Sequence, residues 1–243
     1  GAEPSERSFS LRFAGIIERA CKQAGQRVVI LVDEYDKPML QAIGNEELQR
    51  QFRNALKPFY EPLKTMDGCI KFAFLTGVTK FGKVSVFSDL NNLDDISMRK
   101  DYVELCGVSD RELHDTLDAE LHEFADVRGV TYDKLCAELK ECYDGYHFTH
   151  NSIGMYNPFS LLNAFKYKEF GSYWFETGTP TYLVSLLKKH HYDLERMAHE
   201  ETDAQVLNSI DSESTNPIPV IYQSGYLTIK GYDEEFGIYR LGF

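Results

Sequence analysis

The sequence predicts an α/β fold with a parallel sheet, and two apolar runs carry that prediction. Residues Val28–Val32 form the first run and residues Ile70–Leu75 the second, and a segment with helical spacing of apolar residues precedes each. The first run contains no polar residue, which is typical of a strand covered on both sides in a parallel sheet. We therefore expect Val28–Val32 to be buried on both faces.

Helix signals around these strands fit the same fold. Ser8 or Ser10 can cap a helix that Gly25 ends, because the apolar residues between them recur at helical spacing. Asn45 marks the start of a second helix, in which Pro58 predicts a kink or a fresh first turn.

The rest of the chain changes to helices and then to a hairpin. After a short strand predicted over 102–106, Ser109 opens a capping box, and a further helix is predicted over 131–142. Asn157 and Thr179 each precede a proline that can occupy a first helical position. Finally, two segments alternate as the strands of a hairpin do: Tyr226–Lys230 and Ile238–Leu241.

Composition limits the partners of this chain. Its 243 residues carry a formal net charge of −12, so non-specific binding to nucleic acid or to an anionic membrane is not expected. No apolar run approaches membrane-spanning length and no signal-peptide pattern opens the chain, which predicts a cytoplasmic location. The five cysteines are odd in number and scattered, which favours reduced thiols.

Two adjacent carboxylates, Asp33 and Glu34, directly follow the first apolar run. Ligands of parallel α/β sheets bind beyond the carboxyl ends of the strands. In P-loop enzymes this position holds the Walker B pair, in which Asp33 would bind Mg²⁺ through water and Glu34 would polarise the attacking water. Asp36 is a further candidate metal ligand. The alternative is that these acids are solvated loop residues.

The phosphate-binding loop G-x-x-x-x-G-K-[ST] is not found before Val28. A partial match, Gly77–Lys83, follows the second run, but Val84 stands where the motif needs a Mg²⁺-binding Ser or Thr. The residues after it make a poor helix start, so the amide cradle for phosphate would be lacking. We reject this loop and interpret the chain as part of an ATPase whose phosphate loop is missing.

Three other patterns are interpreted structurally. The spacing of Cys136, Cys142, His147 and His150 fits no usual zinc site. The E-x-K triplet beginning at Glu138 lies on a predicted helix, whereas a nuclease would carry it on a strand. One aromatic set is expected to pack between helices, with base stacking as the alternative: Tyr143, Tyr146, His147, Trp174 and Phe175.

Seven segments spread over nearly the whole chain are LVDEYDKP (31–38), FLTGVTKF (74–81), NNLDDIS (91–97), YDGYHF (143–148), YNPFS (156–160), WFETGTP (174–180) and QSGYLT (223–228). In this order they resemble the AAA-ATPase-like family of bacterial proteins, which carry a PD-(D/E)XK nuclease-like domain at the C-terminus. Each segment is weak alone, and the ordered set is specific.

The resemblance implies a middle segment of a longer protein, with the P-loop upstream of Ala2 and the nuclease-like domain, a partner in cis, downstream of Phe243. ATP and Mg²⁺ would bind the intact protein, and neither would bind this chain tightly. Self-association stays open. The implied architecture is the back half of a P-loop NTPase (ASCE/AAA-type) sheet over 1–108, a helical lid subdomain over 109–200 and a winged-helix-like end over 201–243.

The resemblance also suggests roles for two residues after the second run. Thr76 is similar to the polar sensor that reads the γ-phosphate in such ATPases, although its hydroxyl could instead satisfy strand-end backbone. Lys80 could bind phosphate or face water.

Two classes of function follow. The first is an ATPase module that drives or gates the attached nuclease-like effector. The second is a non-catalytic interaction or switch module on a P-loop scaffold. The native sequence upstream of Ala2 discriminates them, since an intact G-K-[ST] loop there supports the first.

Overall fold

The structure is a computed structural model that describes residues 7–42, 44–80, 86–87, 90–174, 187–188, 197, 199–208 and 216–243. The chain divides into two compact units. Unit 1 contains residues 1–94 and 205–224, and unit 2 contains residues 95–204 and 225–243. The chain therefore leaves unit 2 once, contributes 205–224 to unit 1, and returns.

The helices of unit 1 begin and end close to their predicted signals. In α1 (Phe9–Ala24), the Ser8 hydroxyl accepts a hydrogen bond from the Leu11 amide, which identifies Ser8 as the cap. Gly25 ends α1 in the left-handed conformation, as predicted. The next helices are α2 (Lys37–Gln41), α3 (Glu46–Tyr60) and α4 (Pro62–Thr65), and a 3-10 turn follows over Asp67–Cys69.

Helix α3 confirms one boundary and corrects another. The Asn45 side chain accepts a hydrogen bond from the Leu48 amide and caps α3, as predicted. The predicted alternative that Pro58 starts a new helix is wrong. Helix α3 runs through Pro58 to Tyr60, and the next helix begins at Pro62. A proline three residues from the end removes only one backbone hydrogen bond of the last turn.

Strands β1 (Val28–Val32) and β2 (Ile70–Leu75) form a two-stranded parallel sheet, so the predicted α/β class is confirmed. Val29 pairs with Phe72, and the register continues to Val32 and Leu75. Side chains alternate between the two faces of a strand. Ile30, Val32, Ala73 and Leu75 therefore share the face that packs on the helices of unit 1.

The opposite face of this sheet is exposed, and the expectation that β1 is buried on both faces is wrong. Val29 is 54% exposed, Leu31 72% and Phe72 55%. The reason is that α1 and α3 supply Phe13, Leu56 and Phe59 to one face only. An apolar run shows that a strand can be buried, and packing decides whether it is.

Unit 2 is mainly helical. Its helices are α5 (Asp110–Thr116), α6 (Asp118–Arg128), α7 (Tyr132–Tyr143) and α8 (Pro158–Tyr167). Caps at Ser109, Thr131 and Asn157 confirm three predicted starts, and Ser109 forms the full capping box with Glu112. The predicted start at Thr179 lies outside the described residues.

The helices of unit 2 enclose one apolar core. Side chains from each of α5 to α8 contribute to it, and Leu113, Leu121, Leu135, Leu139 and Leu161 are fully buried. The prediction of a strand over 102–106 is wrong, since a 3-10 helix covers Lys100–Tyr102 and the nearest pairing is a single bridge between Val108 and Tyr156.

No helix in the described part of the chain is long and apolar enough to cross a membrane.

The last elements are β3 (Glu201–Asp203), α9 (Ala204–Asn208), α10 (Ile218–Gln223), β4 (Thr228–Asp233) and β5 (Ile238–Gly242). Strands β4 and β5 form the predicted antiparallel hairpin. The short strand β3 adds to its other side, in the order β3-β5-β4, and was not predicted. Its three residues are too few to show alternation.

The two faces of the first sheet should respond differently to truncation. We expect Ile30→Ala to lower the free energy of unfolding by about 1–2 kcal/mol, because Ile30 packs on the core of unit 1. Leu31→Ala, the matched control on the exposed face, should change it by less than about 0.5 kcal/mol. Urea unfolding measures both, and equal losses would contradict the one-sided packing.

Candidate functional site

The parallel pairing brings Asp33 and Thr76 together, although they lie 43 positions apart in sequence. The Thr76 amide donates to the Val32 carbonyl at 2.8 Å, and the Tyr35 amide donates to the Thr76 carbonyl at 2.9 Å. The Thr76 hydroxyl donates to Asp33 Oδ1 at 2.5 Å. The hydroxyl thus orients the carboxylate at the carboxyl edge of the sheet, where α/β proteins bind ligands.

Glu34 has an uncommon backbone conformation. Its φ of 53° places a residue with a side chain in the left-handed region. Such strain is often found at functional sites, where surrounding structure holds it. The Glu34 carboxylate pairs with Lys37 at 2.5 Å, and both side chains are about half exposed. This hydrogen bond raises the pKa of Lys37, and so do the charges of Glu34 and Asp33.

Asp36 is buried and holds the segment that follows β2. Its Oδ1 accepts from the Val78 amide at 3.2 Å, and its Oδ2 accepts from the Thr79 amide at 2.7 Å and the Thr79 hydroxyl at 2.8 Å. Gly77 lets the segment approach, because a Cβ there would lie 2.6 Å from Asp36 Oδ1. Burial raises the pKa of Asp36 above its ordinary value, although these hydrogen bonds oppose the rise.

The oxygens available for a metal differ among the three acids. Both oxygens of Asp36 accept bonds from the protein, which favours a structural role over its predicted role as a metal ligand. Asp33 is exposed and fits a carboxylate that holds Mg²⁺ through water. Within the described ranges, no three His, Cys, Asp or Glu side chains are grouped to hold a metal ion. Mg²⁺ commonly takes one or two carboxylates together with phosphates and waters.

Lys80 is attached to the helices α9 and α10. Its amide donates to Gln223 Oε1 at 2.5 Å, and its amine donates to Asn208 Oδ1. Gln223 Nε2 in turn donates to the Leu207 carbonyl at 2.6 Å. Sequence reasoning missed Gln223 and Asn208 as parts of the site, and the only signal was that Gln223 opens the segment QSGYLT.

The rejected glycine loop lies only partly within the described residues. Residues 77–80 are described, and the positions that decide the motif, Lys83 and Val84, lie outside them. In unit 2, Tyr143 stacks on Phe170 at 5.9 Å and Tyr146 contacts Phe148 at 4.9 Å. Three of these four rings lie outside helices, and Phe175 of the predicted aromatic set lies outside the described residues.

Comparison with known proteins identifies the family. Residues 2–87, which contain β1, both carboxylates and Thr76, match the family model described as predicted AAA-ATPase. Residues 2–87 therefore belong to this AAA-ATPase-like family. The match spans the whole candidate site except the helices α9 and α10.

One curated relative of this chain is the "Uncharacterized protein in vnfD 5'region" of Azotobacter chroococcum mcd 1. The two are 38% identical over 229 residues, which is 94% of this chain. The chain spans about 42% of the length of that relative. No solved structure matches the chain.

The raised pKa of Asp36 predicts a specific pH dependence. Between the ordinary value of 3.8 and the raised pKa, the folded chain binds more protons than the unfolded chain. Stability contributed by Asp36 is therefore present below 3.8 and is lost as pH rises through that window. Asp36→Asn cannot ionise, so the parent should lose stability relative to this variant as pH rises.

Urea unfolding between about pH 4 and about pH 7 measures this difference. Asp67→Asn is the matched control, because Asp67 is an exposed aspartate of the same unit. The hydrogen bonds lost in Asp36→Asn also change its free energy of unfolding, by an amount that does not depend on pH. A parent-to-variant difference that is constant over the whole range would contradict the prediction.

Proposed function

We propose that this chain forms the Walker B side of an ATP-hydrolysing module. The observation that carries the proposal is the hydrogen-bonded pair of Asp33 and Thr76 beside the strained Glu34, at the carboxyl edge of a parallel sheet. The membership of residues 2–87 in the AAA-ATPase-like family supports ATP as the ligand. The roles of the individual residues are part of the proposal.

Each residue has one task in this proposal. Asp33 orients the water shell of Mg²⁺. Thr76 turns its single hydroxyl hydrogen from Asp33 to the γ-phosphate when nucleotide binds. Glu34 accepts a hydrogen bond from the attacking water. When bound, Mg²⁺ neutralises charge on the phosphates. The Glu34–Lys37 pair is about half exposed, so it is weak enough for Glu34 to exchange Lys37 for water.

We also propose a phosphate-binding loop in the whole protein. We place it upstream of Ala2, and we place a nuclease-like domain in cis downstream of Phe243. The length of the relative, of which this chain spans about 42%, leaves room for both. In this proposal residues 109–200 act as a helical lid, residues 201–243 form a winged-helix-like end, and ATP turnover gates the attached domain.

A non-catalytic interaction module is the second candidate function. The exposed apolar side chains Val29, Leu31 and Phe72 favour it, because exposed apolar surface often marks a contact with another part of a protein or a partner. The two candidates differ in whether ATP is hydrolysed, and the Glu34 variant below separates them.

The chain alone should bind Mg·ATP weakly or not at all. Walker B contributes mainly the metal, whereas backbone amides and a lysine of the phosphate loop supply most contacts to phosphate. Calorimetric titration measures the affinity. Micromolar binding that disappears in Lys83→Ala and persists in the control Lys71→Ala, on the exposed part of β2, would reinstate the glycine loop 77–83 as a phosphate site.

In the whole protein, Glu34→Gln should lower ATP hydrolysis by roughly 10²-fold or more while nucleotide binding stays close to normal. The amide keeps the shape of the side chain but cannot polarise water as a carboxylate does. Asp33→Asn should instead weaken Mg²⁺-dependent nucleotide binding. Steady-state hydrolysis and nucleotide titration measure the two effects.

Glu46→Gln is the matched control for this pair of variants, because Glu46 is an exposed acid in the first turn of α3. It should behave as the parent does. Equal hydrolysis by Glu34→Gln and the parent would remove Glu34 from the mechanism. Absence of hydrolysis in the parent protein itself would favour the interaction module.

A further inference from the structure

We propose that Gln223 is a positioning residue that fixes Lys80 and connects the segment after β2 to helices α9 and α10. The inference rests on the proposed function and on the sequence-based alternative in which Lys80 binds phosphate. It adds a residue from the far end of the chain to that site and gives the site a connection to the hairpin β4–β5.

Both ends of the Gln223 amide are in use. Its Oε1 accepts from the Lys80 amide at 2.5 Å, while its Nε2 donates to the Leu207 carbonyl at 2.6 Å. A carboxamide is the side chain that can accept at one end and donate at the other. The two bonds fix its orientation, so Gln223 holds the backbone of Lys80 and the end of α9 at a constant separation.

The Lys80 side chain makes a second connection, directly to α9. Its amine donates to Asn208 Oδ1, and Asn208 is the last residue of α9. The last residue of α10 thus holds the backbone of Lys80, and the last residue of α9 holds its side chain. A phosphate oxygen is a stronger acceptor for an ammonium group than an amide oxygen is. Phosphate near Lys80 would therefore draw the amine from Asn208.

Only a short stretch of chain separates Gln223 from unit 2. Gln223 is the last residue of α10, and β4 begins at Thr228. Gly225, with a φ of 82°, is the turn between them. Gln223 is bonded to the Lys80 backbone, so only a few residues of chain separate this bond from the start of β4.

Residue-resolved hydrogen exchange of the 243-residue chain tests the link without any nucleotide. We expect the Lys80 amide to be protected in the parent and to exchange roughly tenfold faster in Gln223→Ala. The Thr76 amide, which donates to Val32 within the sheet, should be unchanged and serves as the internal reference. Unchanged Thr76 exchange shows that unit 1 stays folded.

Two further variants separate positioning from packing. Gln223→Glu retains an acceptor oxygen, so Lys80 should stay protected although the bond to Leu207 is lost. Gln51→Ala, which removes an exposed amide bonded to Glu47, should leave Lys80 unchanged. Equal Lys80 exchange in the parent and Gln223→Ala would overturn the proposal, and so would a Gln223→Glu variant that behaves as Gln223→Ala does.

The whole protein gives a second readout. Gln223→Ala should raise the KM for ATP several-fold with a smaller change in kcat, and Gln223→Glu should restore KM. A KM equal to that of the parent would overturn the role of Gln223 at the site. If the parent does not hydrolyse ATP while Lys80 exchange still responds to Gln223→Ala, the proposed function fails and the link between Lys80 and Gln223 stands.

Discussion

A buried carboxylate, Asp36, holds the two sides of the candidate site in place. It lies just after the acids that follow β1, and its oxygens bind the amides of Val78 and Thr79 beyond β2. Burial and, to a smaller extent, the charge of nearby Asp36 raise the pKa of the Tyr60 phenol. The low dielectric that makes this carboxylate costly also strengthens its hydrogen bonds. The positions of Thr76 and Lys80 both depend on this fixed segment.

Features with a local cause could be predicted from the sequence. A cap such as Ser8 or Asn157 acts over three residues, and the β1–β2 strands follow from composition and flanking turns. The exposed face of the sheet could not be predicted, because Leu31 has the same sequence signal whether or not another element covers it. The partners of Lys80 could not be predicted either, since Gln223 lies 143 positions away and its place in the segment QSGYLT does not indicate which residue it contacts.

The site combines one strained residue with several rigid ones. Glu34 is left-handed, whereas its neighbours Asp33 and Asp36 are fixed by hydrogen bonds to Thr76 and Thr79. A non-glycine residue in that conformation costs of order 1 kcal/mol or more, and the surrounding bonds over-determine the turn. Glycine at this position would relieve the strain and remove the carboxylate. The residue type at position 34 is therefore not explained by backbone preference alone.

The division of unit 1 into residues 1–94 and 205–224 has a consequence for biosynthesis. During synthesis, residues 95–204 of unit 2 are translated before the residues of α9 and α10 that hold Lys80. Domains generally fold from the N-terminus during synthesis, so unit 1 waits with its strands formed and its closing helices absent. During that interval Lys80 lacks its partners Gln223 and Asn208, so the order of translation sets when the site becomes complete.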